Sequence, residues 1–410
     1  MLPLLLARPR LATGLLIAGL VLLAAALVYI MPKVVSQAIA IDFRFIWLAG
    51  SLWIDGLDPY SAVYADEAAQ RLRPGNMPEF LLYPPGWWGI AVVFAGFDEA
   101  TASLLWRISS VLAAVLGAGT LLWAVWRAIA PHGGARHALL ALGAIALALT
   151  FGSVAAANNV TIAQTSMLML LGGGLAGAGV ISASRGLLVM GLLILSLKPS
   201  IGFALVPCIL LLRTPLLSTV ALGGLVLLIS APPLLTFGPV ETVRGFVESA
   251  SRYGALDINA GPALTGLRHL GWRLTGEAPS ATLLLALSGL FSAGGMLMAR
   301  NLVRDVEGRA LAFAFAISCL LCAAPLHSYD FVFLLPLMLL VPLLRPLDAM
   351  AIFGAALFTM RSSNIAPLLG LVPSGSVLPG TTVATLAGTA LFLWFGGRLA
   401  LAAIRARQRA

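Results

Sequence analysis

The sequence predicts an all-α polytopic integral membrane protein, a bundle of about twelve transmembrane helices with interfacial helices in its first outer loop. Three observations carry that expectation. Of 410 residues, 60% are hydrophobic and only 10% are charged, against about 25% charged in soluble domains. The apolar residues fall in long runs, many near the roughly 20 residues that span a bilayer core, and not in the short alternating segments of an outer-membrane barrel. The 42 Gly and 24 Pro follow no triplet period, which excludes a collagen-like chain, and the hydrophobicity excludes disorder.

In chain order, Arg8-Pro9-Arg10 precedes an apolar run over 11–31. The run looks like a signal peptide, but it is long and no A-x-A site directly follows it, so it is expected to be a retained first helix. The stretch 32–99 is polar and acidic. Its short apolar segment 83–96 suits an interfacial helix better than a span. Further runs cover 101–126, 138–156, 164–182, 186–197, 200–212, 215–236, 281–299, 310–324, 331–344, 347–360 and 377–397. The pair 186–197 and 200–212 is short and interrupted by Lys198-Pro199, as half-spans or a broken hairpin would be. A second large polar segment covers 237–280. No internal repeat or charged linker interrupts the chain, so residues 1–410 are expected to form one integral membrane domain.

Charge sets the orientation. With the N-terminus inside, alternation puts 14 of the 25 basic residues on the inner face with three acids, Asp305, Glu307 and Asp348. The outer face then receives 11 basic residues and 13 acids. By the positive-inside rule both termini are expected to be cytoplasmic and 32–99 and 237–280 periplasmic, in a bacterial inner membrane. The net charge of +9 thus reads as a membrane anchor and implies no nucleic-acid partner. Cys319 and Cys322 form a C-x-x-C without neighbouring ligands and read as small buried hydrophobes, as does Cys208.

Ionisable groups near membrane depth are functional candidates by default. Asp42 follows the first helix among Ile41, Phe43, Phe45 and Trp47. It reads either as a helix N-cap or as a partly desolvated carboxylate whose pKa burial raises. Lys198 reads either as a partner for a lipid phosphate or as a snorkelling helix-end anchor. His327, after Pro325, could bind phosphate as a cation, donate to it when neutral, or simply cap. Within 237–280, Arg244, Arg252, Arg268, His269 and Arg273 offer phosphate-matching groups, with Arg252 beside Tyr253 preferred. Asp58-Pro59-Tyr60 and Tyr83-Pro84-Pro85 read first as turns, with sugar or stacking contacts as the sharper alternative. Asn158, Asn159 and Gln164 could hydrogen-bond sugar hydroxyls or cap their loop. Asp330 could orient His327 or cap the next helix.

The order of Asp42-Phe43, Ala49-Gly50, Gly56, Asp58-Pro59-Tyr60, Tyr83-Pro84-Pro85, Gln164, Lys198-Pro199, and His327 with Tyr329 resembles the GT-C superfamily of membrane glycosyltransferases. More closely, it is similar to glycosyltransferase family 87, the group that includes polyprenyl-phosphate-mannose-dependent mannosyltransferases. The matching positions span 42–329. A departure is Ala163, where that family more often has Gly before the Gln. The resemblance implies a GT-C-like helical bundle and an inverting transfer of a hexose, mannose by analogy, from a polyprenyl-phosphate-linked donor to a lipid or glycan acceptor hydroxyl. It implies Asp42 as the catalytic carboxylate. From the residue chemistry above, His327 is expected to assist, and Lys198, Arg252 and Arg268 to hold the donor phosphate. Asp58, Tyr60, Tyr83, Asn158, Gln164 and Tyr329 are expected to line the substrate site.

Chemistry is consistent with that reading. Nucleotide sugars are cytoplasmic, so an outward site needs a lipid-carried donor. A prenyl phosphate departs readily, so one base suffices where a hydrolase uses two carboxyl groups. No cofactor is expected. A divalent metal held by Asp42 with Asp58, Glu67 or Glu79 is the open variant, without a compact D-x-D in the first loop. The competing expectation is a transporter or flippase of a lipid-linked saccharide, for which the break at Lys198 is the one favourable feature.

Overall fold

A computed structural model describes residues 9–36, 40–72, 79–129, 136–256, 259, 263–362, 365 and 379–408. Arg8, Arg409 and most of the expected outer loop 361–376 lie outside the described residues. The described residues are 84% helical and include no strand.

The helices are α1 (Pro9–Val34), α2 (Ile41–Ile54), α3 (Val63–Arg71), α4 (Trp88–Ala95), α5 (Glu99–Ile129), α6 (Arg136–Phe151), α7 (Val154–Thr161), α8 (Ser166–Ser182) and α9 (Arg185–Ser196). Then come α10 (Pro199–Leu205), α11 (Pro215–Phe237), α12 (Pro239–Ala255), α13 (Leu267–Thr275), α14 (Ala281–Ala299), α15 (Val306–Ala323), α16 (Leu334–Leu340), α17 (Pro346–Met360) and α18 (Pro379–Gln408). Short 3₁₀ turns at Pro85–Trp87, Val206–Leu211 and Ser328–Phe333 lead into or extend α4, α10 and α16.

The starts are written in the sequence. Pro stands in the first turn of α10, α11, α12 and α17, where its fixed φ suits a helix and its missing N–H costs nothing. Ser153, Ser184, Ser280 and Asp305 cap α7, α9, α14 and α15 through their side-chain oxygens, satisfying otherwise orphaned N–H groups.

Among the described residues, six helices are long and apolar enough to cross a membrane: Arg10–Val34, Glu99–Ile129, Pro215–Phe237, Ala281–Ala299, Val306–Ala323 and Gly380–Ala406. The pair α6 and α7, bent by 62°, makes a seventh if taken as one span. The other apolar runs form shorter helices, such as the 17-residue α8 and the 12-residue α9. A 12-residue helix rises only about 18 Å, short of the roughly 30 Å hydrocarbon core. As expected, 83–96 forms a short helix and no span, and none of the elements between Ile41 and Ala95 is a candidate span.

Lipid-like exposure and burial separate the helices. α11 leaves Leu216, Leu227, Leu228 and Leu235 exposed, whereas α15 is buried nearly all round and carries Cys319 and Cys322 inside it as unpaired thiols. α5 crosses α8 where Gly174 meets Gly117; a Cβ at Gly174 would run into the Gly117 carbonyl. Small residues at such crossings let backbones approach without a hydrophobic driving force. Gly50 does the same for α2, lying directly on the Ala91 carbonyl of α4. That contact, with the buried Arg44–Glu99 ion pair at 2.7 Å, fixes α2 against α4 and α5. Arg107 binds the loop end of α7 from within α5: it donates to the carbonyls of Val160, Thr161 and Ser36.

Candidate functional site

The starts of α2, α8 and α10 and the turn Ser328–Phe333 meet at one end of the bundle, beside α12. They enclose a cavity of about 230 Å³. Asp42, Tyr83, Gln164, Lys198, His327 and Tyr329, six of the predicted site residues, line it together with Tyr253, Asn259 and Asp330. Much of the remaining wall is apolar, from residues such as Phe246, Ala250 and Leu285.

Asp42 sits one residue inside α2. The N-cap is Ala40 and the helix has no side-chain cap bond, so the capping reading of Asp42 gives way. Its backbone N–H donates to Ile162, and its Oδ2 accepts from Gln164 Nε2 at 3.0 Å. Gln164 is oriented by its neighbour. Its Oε1 accepts from the Thr165 N–H at 2.7 Å, and a backbone N–H can only donate, so the amide NH₂ must face the cavity. That NH₂ also donates to the Tyr329 hydroxyl at 2.9 Å. The turn carrying Gln164 is left-handed at Ala163, with φ of +56°. Glycine adopts such a backbone more readily than alanine.

Burial pushes the Asp42 carboxyl up to about 7; the Asp330 charge adds to the rise and Lys198 opposes it. Asp42 therefore titrates near neutrality, as a general base should. Burial also raises the Tyr253 hydroxyl above its usual range, with the Asp42 charge adding to it, so Tyr253 stays a neutral donor.

Lys198 ends the break between α9 and α10. Its Nζ donates to Asp330 Oδ1 at 2.7 Å and to Ser166 Oγ at 2.6 Å. Ser166 in turn hydrogen-bonds Asp330. Asp330 Oδ2 accepts from the His327 N–H at 3.0 Å, so it caps the turn and pairs the lysine without touching the imidazole of His327. An ammonium has three donors, and these two contacts leave one. Trp87 Nε1 donates to the Leu197 carbonyl at 2.7 Å, tying the turn before α4 to the residue next to Lys198.

Burial lowers the His327 imidazole to about 4; Lys198 also lowers it and Asp330 opposes. The ring is neutral at pH 7. Asn259 Nδ2 donates to the Tyr253 carbonyl at 2.7 Å, which turns its Oδ1 toward His327 Nε2 at 3.2 Å. Nε2 therefore carries the proton and Nδ1 is an acceptor. The ring stacks on Tyr329 at 4.8 Å. A cationic, phosphate-holding His327 does not fit this environment.

The other predicted residues stand elsewhere. Tyr253 faces the cavity, while Arg252, adjacent and about 100° round the helix, is exposed outside it. Arg268, the second residue of α13, is buried and donates to the Pro279 carbonyl. Asp58 accepts from the Tyr60 N–H in its own turn, and the Tyr60 hydroxyl donates to the Tyr83 carbonyl, so both shape the wall from behind. Asn158 is exposed, whereas Asn159 faces inward and donates to the Tyr329 carbonyl. Glu67 is held by Arg71, and Glu79 is exposed. Sequence reasoning misses Ser166 and Asn259: one is a small hydroxyl in an apolar run, the other one polar residue among many in 237–280, and neither carries a signal of its own.

The result is a pocket with one carboxylate titrating near neutrality, one paired ammonium, neutral hydroxyl and amide donors, and an apolar wall. No family model matches the chain, and no curated protein or solved structure does so either.

Proposed function

We propose that the chain is an inverting membrane glycosyltransferase that uses a polyprenyl-phosphate-linked hexose, with Asp42 as the general base. The observation that carries the reading is Asp42 itself, raised to about 7 in a largely apolar cavity that also holds Lys198. In the proposed step, Asp42 takes the proton of an acceptor hydroxyl. The oxygen attacks the anomeric carbon as the carbon–oxygen bond to phosphate breaks on the opposite face. The prenyl phosphate leaves with the electron pair, and its charge is met by the remaining Lys198 donor. Gln164, itself held by the Tyr329 hydroxyl, donates to the carboxylate, and neutral His327 accepts from a sugar hydroxyl through Nδ1. The apolar wall suits a lipid-linked donor.

The bundle end that carries the cavity is read as the outer, periplasmic face. Arg185, Arg213, Arg304 and Arg309 gather at the opposite end, in line with a cytoplasmic surface. The GT-C architecture, the family 87 resemblance and mannose as the sugar belong to this same proposal.

The test offers purified protein prenyl-phosphate sugars against nucleotide sugars. Transfer from the lipid-linked donor, abolished in Asp42→Asn, is the expected outcome. Turnover with a nucleotide sugar alone overturns the reading. The sharp bend between α6 and α7 and the break at Lys198 favour a second reading, passage of a lipid-linked saccharide, since broken helices beside a polar site are a transporter feature. Movement across vesicle membranes without any transfer would select it.

A further inference from the structure

At the end of the bundle opposite Asp42, a second cavity of about 600 Å³ is framed by Arg185, Arg213, Arg304 and Arg309. The four come from separate places in the chain: the start of α9, the connection into α11, the loop before α15, and α15 itself. None of the residues lining the cavity is a carboxylate.

The nearby acids lie off its wall, though Asp305 acts electrostatically on Arg309, and Arg304 also borders the neighbouring cavity that holds Asp305 and Glu307. Asp305 accepts from the Gly308 N–H at 2.6 Å, capping α15. Glu307 pairs with Arg345 at 3.1 Å and Arg398 at 3.8 Å, in a neighbouring cavity. Asp348 is buried against Trp394 and Arg398. Arg309 is fixed as a strut: its Nε donates to the Ile181 carbonyl at 3.0 Å and its Nη1 to the Val303 carbonyl at 3.2 Å. Arg185, Arg213 and Arg304 are exposed and have no ion pair among the described residues. The starts of α9, α11 and α15 all lie at this end, and their dipoles add positive potential.

Four guanidinium groups around one cavity, with no acid on its wall, match the geometry and charge of phosphate oxygens. Immediately beyond Arg213, α11 begins at Pro215 and exposes Leu216, Leu217 and Val220. An anion seated among the arginines would lie against an apolar flank on which acyl chains could rest.

We propose that this cavity is a binding site for a phosphate-bearing anion, separate from the Asp42 cavity. The phosphate comes either from the headgroup of an anionic phospholipid or from a soluble phosphate compound. Both sources share the chemistry, and the flank of α11 sets them apart in an experiment.

The experiment uses the full chain in neutral detergent. Native mass spectrometry titrates phosphatidylglycerol against phosphatidylcholine, and calorimetry titrates inorganic pyrophosphate. The variants are Arg213→Gln/Arg304→Gln and, as a control in the neighbouring cavity, Arg345→Gln/Arg405→Gln. The substituted cavity arginines are exposed, and circular dichroism with gel filtration checks the fold. A basic residue near a membrane surface contributes about fivefold in affinity to an anionic partner, so the first pair should weaken binding about 25-fold. The control pair should change it far less. Loss of phosphatidylglycerol binding in the first pair supports a lipid source, and loss of pyrophosphate binding supports a soluble one. Equal weakening by both pairs, unchanged binding in the first, or no anion binding by the wild-type chain overturns the proposal.

Discussion

Gln164 joins Asp42 to Tyr329: one amide nitrogen donates to the carboxylate at 3.0 Å and to the hydroxyl at 2.9 Å. A donor aimed at a carboxylate favours its charged form. Gln164→Ala should therefore push Asp42 further up and move the acid limb of the transfer–pH profile to higher pH. A hydrogen bond to a charged group is worth about 1.5–3 kcal/mol, so transfer at pH 7 should fall roughly ten- to a hundred-fold. Gln164→Glu, which sets a second carboxylate against the first, should shift the profile further than Ala. An unshifted profile in both variants removes Gln164 from the mechanism.

Asp42 gives a pH dependence whose sign can be worked through. Its carboxyl is raised from 3.8 to about 7 in the folded chain. A base must be deprotonated, so transfer should fall about tenfold per unit below pH 7. The folded state binds this proton more tightly than the unfolded state. Stability from this group is therefore greatest below pH 4 and declines as pH rises toward 7. Asp42→Asn removes that penalty. The variant should be inactive, yet melt higher than wild type at pH 8, with the difference vanishing at pH 4. A lower melting point for Asp42→Asn at pH 8 contradicts the buried-carboxylate account.

Lys198 and Asp330 form a pair in which Asp330 is only 2% exposed. Removing one partner leaves an uncompensated buried charge, at a cost of about 3–5 kcal/mol. Lys198→Met should therefore unfold more easily in chemical denaturation, and Lys198→Met/Asp330→Asn should recover much of the loss. Transfer should not recover with it, because the proposed phosphate donor is still missing. Restored turnover in the double variant would leave Lys198 with a structural role alone.

Ala163 holds a left-handed backbone, with φ of +56°, a conformation that costs an L-residue about 1 kcal/mol. Ala163→Gly should keep stability within about 1 kcal/mol and retain transfer, since relief of that strain offsets glycine's entropy. Ala163→Val puts a β-branched side chain where it rarely fits. It should displace Gln164 and reduce transfer about tenfold or more. Comparing transfer rates and melting points of the two variants checks the turn.

Part of this organisation is legible in the sequence. Asp42, Tyr83, Gln164, Lys198, His327 and Tyr329 stand out as rare polar groups in apolar surroundings, and such groups must converge on something. Arg252 and Arg268 stand out by charge alone, and charge does not say which side of α12 or α13 a residue occupies. The preference for Arg252 falls one position from Tyr253, which is the residue that lines the cavity. Ser166 and Asn259 matter only through what meets them in space. Arg107 does have a signal, a cation inside the run 101–126, but its partners are three backbone carbonyls that no side-chain pattern reveals. Helix length is the least legible property. Runs such as 164–182 and 331–344 look like spans because they are apolar, and they are apolar in large part because other helices cover them.

Lys198 is also one of only two lysines in the chain, the other being Lys33 near the end of α1. Amine-selective reagents thus have just two side-chain targets. One is held in an ion pair on the cavity wall; the other rests over the Tyr29 ring at 4.2 Å. Acylation of Lys33 should proceed first, and labelling of Lys198, read by peptide mass, should slow further when a phosphate donor fills the pocket. The scarcity of lysine turns occupancy of the cavity into a quantity that can be followed by chemistry at one nitrogen.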